Sequence, residues 1–417
     1  MLEVSDPGSP NPFEGFPLFG DLARMFGPGG MAGGPWEAAR SLALNVATEG
    51  TSEPNVDPLE RIKLEQLGRV AELQVAHVTG LETTVTGRQL QIVPVTRGQW
   101  ARRTLDDYRP LLEKLASSLG TPEGLDDDDD EPDPFGAGDD PLGAMLGPLL
   151  SAMQPMMVAM TAGSMVGHLA RRSLGQYDLP VPRPPSDELM IVVANLDAFG
   201  KEWSLPHDDL RLWICLHEIA YHTVLAVPHV RARLDSLLAE YTTGFRNDPR
   251  ALEEHLGDVD LSGPDAMASL QRVLGEPGAL LGAIQSDEQR ALLPRLTALL
   301  AVLSGVVDHV MDEVGAKLIG SYGMLTEALR RRRVETAESD RFVERLLGLE
   351  MTQAVYDRGT NFVDGVIERA GADGLARLWA GERFLPSPPE VDAPPLGWAR
   401  HFGQAETEGL LEPITTW

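Results

Sequence analysis

Residues 189–199 read LMIVVANLDAF, and residues 209–226 read DLRLWICLHEIAYHTVLA. The first stretch is short and continuously apolar, which reads as a strand. The second follows Pro206 and His207, where Asp208 and Asp209 complement the positive end of a helix. It continues without a breaker to Pro228, which ends it and begins another helix, HVRARLDSLLAEYTTGF. An apolar strand followed closely by an apolar helix is the local frame on which the rest of the chain is placed.

Working outward, residues 82–96 (ETTVTGRQLQIVPVT) are rich in Thr and Val and supply the expected partner strand. Helical patterning starts at Pro35, a favoured first-turn residue. A helix over 57–79 carries Leu59, Ile62, Leu67, Val70, Leu73 and Val78 at close to helical spacing, and another runs over 97–119. Ser286 and Gln289 form a capping box ahead of a long apolar helix. Further helices are expected at 324–333, 339–347, 351–370 and 373–380. The expected class is mainly α with a small β-sheet (α+β). Residues 1–33, rich in Gly, Pro and Phe, read as an extended arm with Phe13, Phe16 and Phe19 available to dock. Residues 121–140 hold ten acidic residues and no basic one, which predicts a disordered linker. The segments 34–120 and 141–417 are expected to pack as one domain.

Composition narrows the function. The chain has 417 residues, 43% hydrophobic, and a formal net charge of −28. A core of good size is available, and nucleic acid is excluded as an expected partner, because phosphate neutralisation needs clustered Lys and Arg. The single cysteine, Cys215, allows no internal disulfide, and the N-terminus lacks the basic and apolar regions of a signal peptide. Both point to the cytoplasm. Residues 141–170 contain no Asp, Glu, Lys or Arg, which raises the question of a membrane span. The run is instead broken by Gly and Pro and rich in Met, so a buried core helix is expected and no membrane insertion.

The chemistry centres on Leu216-His217-Glu218-Ile219-Ala220-Tyr221-His222. A zinc site of the His-Glu-x-x-His type needs two imidazoles at i and i+4, so that both reach one metal from one helix face. The Glu beside the first His then serves as general base toward metal-bound water. Here His217 and Glu218 are present, but the fifth position is Tyr221. His222 lies at i+5, roughly 140° around the helix from His217. It reaches the same metal only through a π-bulge, so it is a weak alternative. A strand before the helix is nevertheless the arrangement of zincins, in which an edge strand lines the substrate cleft.

With these residues in view, the sequence resembles an actinobacterial zincin-like family of unknown function, labelled "zinc-dependent metalloprotease" or hydrolase. Some of its relatives are labelled as associated with deazaflavin-coenzyme biosynthesis. The resemblance runs through NPFEGFPLFGDLARMFG (11–27), EPNVDPLERIKLEQLGRVAELQVAHVTGL (53–81), GSMVGHLARRSLGQYDLPVP (163–182), LWICLHEIAYHTVLAVPHVRARL (212–234) and LLGLEMTQAVYDRGTNFVDGVIERAG (346–371). It implies a zincin-like metallopeptidase fold, a zinc cofactor, Glu218 as catalytic base and His217 as metal ligand. It also places Tyr221 where the family has its second His, and Ser304 where the family has the Glu of a Glu-Gly pair, read as the third ligand. Neutral Ser is a weak zinc ligand, and Tyr binds zinc only when deprotonated, against a free pKa near ~10. Zinc binding is therefore expected to be weak or absent in this chain.

Other residues carry milder expectations. Asp308, His309 and Asp312 read as a solvated helix face, and Arg330–Arg333 as a basic run paired with Glu335, Glu338 or the acidic linker. His168 reads as a buried, hydrogen-bonded histidine, and Cys215 diverges too far from His217 to form a thiol–imidazole pair. Three functions stand: a zincin-fold metallohydrolase, a non-catalytic descendant that binds a peptide or protein in the old cleft, and a helical protein in which the His-Glu pair is structural. The oligomeric state is not set by the sequence.

Overall fold

The computed structural model describes residues 34–119, 141–245, 285–334 and 344–393. The arm 1–33 and the whole acidic run 121–140 lie outside them. Eleven α-helices surround one two-stranded parallel sheet in these residues. Strand β1 (Gln91–Val95) follows helices α1 (Pro35–Thr48) and α2 (Pro58–Thr79). The crossover to strand β2 (Glu188–Val192) contains α3 (Arg97–Leu119) and α4 (Pro141–Arg172). Gln91 pairs with Glu188 and Val95 with Val192. After β2 come α5 (Val193–Glu202), α6 (His207–Ala226), α7 (Pro228–Thr243), α8 (Asp287–Leu318), α9 (Tyr322–Val334), α10 (Gln353–Ala376) and the short α11 (Pro388–Asp392).

The expected sheet is present and packs against the helix that carries His217. Its strands are shorter than the sequence reading. The run 189–199 leaves the sheet at Val192, where it turns into α5. Leu196 and Phe199 are buried on that helix, and the Asn195 amide donates to the carbonyls of Ala170 (2.9 Å) and Ser173 (2.7 Å). Those carbonyls close the end of α4, and orphan helix carbonyls need a donor. The β-like run 82–96 forms a strand only from Gln91. Its first part wraps the Asp187 carboxylate, which accepts from the Val85 amide (2.6 Å), the Thr86 amide and hydroxyl, and the Arg88 amide (3.1 Å).

Small residues set the helix spacing. Gly163 of α4 lies on the Ala39 carbonyl of α1, as the Gly-rich run 141–170 predicts, and α4 is buried from Ala159 to Ala170 except at Thr161 and His168. In α8, Gly305 rests on the backbone of Gly359 in α10, and a side chain at either position would overlap the other helix. Helix α8 is also long and apolar enough to cross a membrane, yet 67% of its most apolar window is buried inside the protein. Its capping box at Ser286 and Gln289 forms as expected.

Helix α2 departs from the reading of its apolar residues. Leu59, Ile62, Val70 and Leu73 face solvent. The buried face is Leu64, Gly68, Ala71, Val75 and Thr79. A β-carbon on Gly68 would come within 2.6 Å of Ile92, so a row of small residues lets α2 lie close against β1. Buried Arg211 ties α6 to Glu60 of α2 and, at 2.5 Å, to Asp197 of α5.

Candidate functional site

The site begins at the second edge of β2, the one not paired with β1. Ile191 bridges to Gly175, and the Val192 amide donates to the Leu174 carbonyl at 2.9 Å. The indole of Trp100 fixes the same turn by donating to the Gly175 carbonyl at 2.8 Å. This pins residues 174–177 against α6. The amides of Gln176 (2.7 Å) and Tyr177 (2.8 Å) both donate to Oε2 of Glu218, and its Oε1 lies 3.1 Å from Nδ1 of His217. Gly175 is required here, because a methyl group at that position would overlap the Glu218 carboxylate. Glu218 has no exposed surface and lines no part of the neighbouring cavity.

His217 does line it. Trp213, His217 and Tyr221 follow one another at i, i+4 and i+8 on α6, so their rings form one wall. Trp213 stacks on His217 at 4.8 Å between centroids, and Tyr221 meets His217 edge-on at 4.9 Å. The cavity has a volume of about 270 Å³, and Tyr177, Tyr356, Arg332 and Arg333 contribute to its other walls. A second cavity of about 170 Å³ shares Trp213, Arg333, Gln353 and Tyr356 with the first. Nε2 of His217 has no hydrogen-bond partner among the described residues. Burial pushes the Tyr221 phenol well above its ordinary range, with the neighbouring Tyr356 and Asp308 adding to the effect, so it stands neutral.

The other sequence candidates are dispersed. His222 points to a different, very small cavity beside Arg183 and Arg231, as its i+5 position predicts. Its Nδ1 shares a hydrogen bond with the Tyr177 hydroxyl at 3.1 Å, and its Nε2 is buried without a partner among the described residues. Burial lowers its pKa to about 4. Ser304 is fully buried on α8, and its hydroxyl donates to the carbonyls of Leu300 (2.8 Å) and Ala301 (3.1 Å) of its own helix. It lines neither cavity. Cys215 is buried with its sulfur toward the Leu64 carbonyl at 3.9 Å, away from both cavities. His168 is half-buried in α4 and also lines neither.

One surface expectation needs correction. Asp308 is not on a solvated face. It lies one turn beyond Ser304, lines the second cavity, and stands 3.7 Å from the Arg333 guanidinium. Burial raises its carboxyl pKa, and the charges of Arg333 and His217 pull the other way. The basic run is split. Arg330 and Arg331 pair locally with Glu327, at 3.0 and 2.6 Å. Arg332 turns inward to Asp178 (3.0 Å), and Arg333 lies over the Tyr356 ring at 3.7 Å. Glu335 and Glu338 lie outside the described residues.

Sequence reasoning missed Trp213, Tyr177, Tyr356 and the inward arginines. The aromatic spacing from Trp213 through His217 to Tyr221 was the available signal for the first. Nothing local marks the others, which come from distant segments. Among the described residues, no cluster of three or more His, Cys, Asp or Glu side chains is placed to hold a metal ion.

Comparison with known proteins adds the family. A description of zincin-like metallopeptidases matches residues 35–398. A search of curated proteins finds no match. Among solved structures, the chain is similar to "a putative hydrolase with a novel fold" from Chloroflexus aurantiacus. That similarity covers 88% of this chain and 97% of the other, at 22% identity and a TM-score of 0.54. At this identity the likeness is one of fold.

Proposed function

This chain belongs to the zincin-like metallopeptidase family, and from that premise we propose that it is a member without zinc hydrolysis, whose cleft binds a peptide or protein segment. The observation that carries this reading is the chemistry of the donor set. A catalytic zinc site takes three protein ligands and a water. Here His217 offers an imidazole, Tyr221 offers a neutral buried phenol, and the Ser304 hydroxyl is committed to its own helix. These groups do not fit a catalytic zinc ion. Glu218, the family's base, is spent on two backbone amides and on His217, out of contact with the cavity.

What the cleft offers instead is recognition. Trp213 and Tyr221 give it flat apolar walls, and its size suits one large side chain of a bound segment rather than a whole small molecule, since ligand pockets run to about 300–1,000 Å³. Arg332 and Arg333 are held in place by Asp178 and Asp308, so they present fixed donors at the edge of those walls. The free Nε2 of His217 adds one directed polar contact.

The test measures zinc per chain on purified protein, hydrolysis of a peptide library with and without added zinc, and capture from a displayed peptide library. The expected result is zinc far below stoichiometry, background hydrolysis, and selected peptides that lose binding in Trp213→Ala. A zinc hydrolase is the competing outcome. Stoichiometric zinc, with hydrolysis abolished by Glu218→Gln, would replace this reading.

A further inference from the structure

Helix α2 has two apolar faces, and the fold uses one. Leu64, Gly68, Ala71 and Val75 pack inward, and the helix contacts α6, α8 and β1. Leu59, Ile62, Val70 and Leu73 lie on the opposite side, 71%, 52%, 43% and 72% exposed. They are four of the six exposed large hydrophobic residues among those described. At 100° per residue, these four and Gln66 fall in a stripe roughly 80° wide along four turns. Single exposed apolar residues are ordinary on a soluble surface, whereas several aligned on one stripe mark a contact face.

We propose that this stripe is a self-association surface, on which α2 of a second copy lies antiparallel across a two-fold axis. Centred on Gln66, that arrangement sets Leu59 against Leu73 of the second copy and Ile62 against Val70. Gln66 then meets Gln66, whose two amides can exchange hydrogen bonds. The charges beside the stripe favour this occupant. Glu65 and Arg69 are both exposed on the same flank, and among the described residues neither side chain makes an ion pair. Arg69 reaches only the carbonyl of Glu65, at 3.3 Å. A two-fold axis between antiparallel helices brings each flank against its own counterpart. Arg69 of each copy therefore meets Glu65 of the other, giving two ion pairs. The opposite flank carries Lys63, already paired with Asp208, and the uncharged Gln74, so no like charges are forced together. A parallel arrangement would bring the Glu65–Arg69 flank against Lys63 and Gln74 instead. One helix pair is small beside the roughly 1,200–2,000 Å² of stable interfaces, so the dimer is weak and concentration-dependent.

Sedimentation velocity of the full chain over a rising concentration series tests this. The expected result is a monomer–dimer equilibrium that Leu73→Glu weakens by about tenfold or more, roughly 1.4 kcal/mol. Glu65→Arg and Arg69→Glu should each weaken it as well. An equimolar mixture of those two variants should recover the association, because both cross pairs are then complementary. Circular dichroism and melting report folding of each variant, and Leu73→Ala replaces Leu73→Glu should the latter misfold. A chain that stays monomeric, a dimer indifferent to Leu73 substitution, or a mixture that does not recover would each overturn the proposal. So would a monomer that dimerises only after deletion of residues 1–33, since that arm would then be the native occupant of the stripe.

Discussion

Tyr221 stands one helical turn after His217, and the two rings already touch at 4.9 Å. A histidine in its place would put two imidazoles at i and i+4 on one wall of the cavity, with the Asp308 carboxylate close enough to act on His217. Tyr221→His should raise zinc affinity by about tenfold or more, worth roughly 1.4 kcal/mol, in competition with a chromophoric chelator. No gain would mean that His217 cannot turn its free nitrogen to a shared metal. Adding Ser304→Glu is expected to lower the melting temperature, because Ser304 has no exposed surface and a carboxylate there must be buried. His222 supplies a pH signature on the other side of the helix. Burial lowers its pKa to about 4 in the folded protein, against about 6.5 when unfolded. As pH falls, the unfolded chain takes up this proton first, so the stabilisation is full above about pH 6.5 and is lost on the way to pH 4. The linkage is worth ~3 kcal/mol at most. Urea midpoints at pH 7 and pH 4 should differ less in His222→Gln than in the parent chain. An unchanged difference would place the acid sensitivity in the carboxylates.

At the scale of elements, the cleft depends on how closely α8 and α10 approach. Gly305 and Gly359 make that crossing, and it brings Tyr356 of α10 and Asp308 of α8 both to Arg333. Gly305→Ala should be destabilising despite a gain of ~1 kcal/mol in helix propensity. Overpacking at a rigid backbone contact costs ~1–3 kcal/mol or more, and here the obstacle is the Gly359 carbonyl rather than a side chain that can swing away. Thermal melting measures the sum, and a raised melting temperature would show that the helices separate freely. The strands show why element type was readable and element ends were not. Val192 and Val193 are equally apolar, yet one closes the strand and the other opens a helix. The decision lies with Asn195, whose amide is needed at the end of α4, far away in sequence.

Across the whole molecule, a net charge of −28 opposes any association of like copies. The Debye length falls from about 30 Å at 0.01 M salt to about 8 Å at 0.15 M. General repulsion acts over distances that salt screens, whereas the Arg69–Glu65 contacts are short. Self-association through α2 should therefore strengthen as salt rises over this range, with saturation once repulsion is screened. Sedimentation at the two salt concentrations checks this, and a steady weakening would mean that the ion pairs dominate the apolar stripe.

The sequence by itself determined most of the helices, a strand pair beside the helix of His217, and the family, because apolar periodicity, caps and long distinctive stretches are local properties of the chain. It also showed that His222 must leave the face of His217, since five residues do not complete a turn on the same side. Only the tertiary structure decided which face of α2 is inside. Leu59, Ile62, Val70 and Leu73 carry the stronger hydrophobic pattern, but close packing on β1 and α6 selected the smaller row of Gly68 and Ala71. It likewise decided that Glu218 is held by the amides of Gln176 and Tyr177, and that Arg332 and Arg333 turn into the cavity while Arg330 and Arg331 pair with Glu327 of their own helix. Each of those outcomes joins residues dozens of positions apart, or turns on the fit of one backbone against another, and neither is written in any local stretch of the chain.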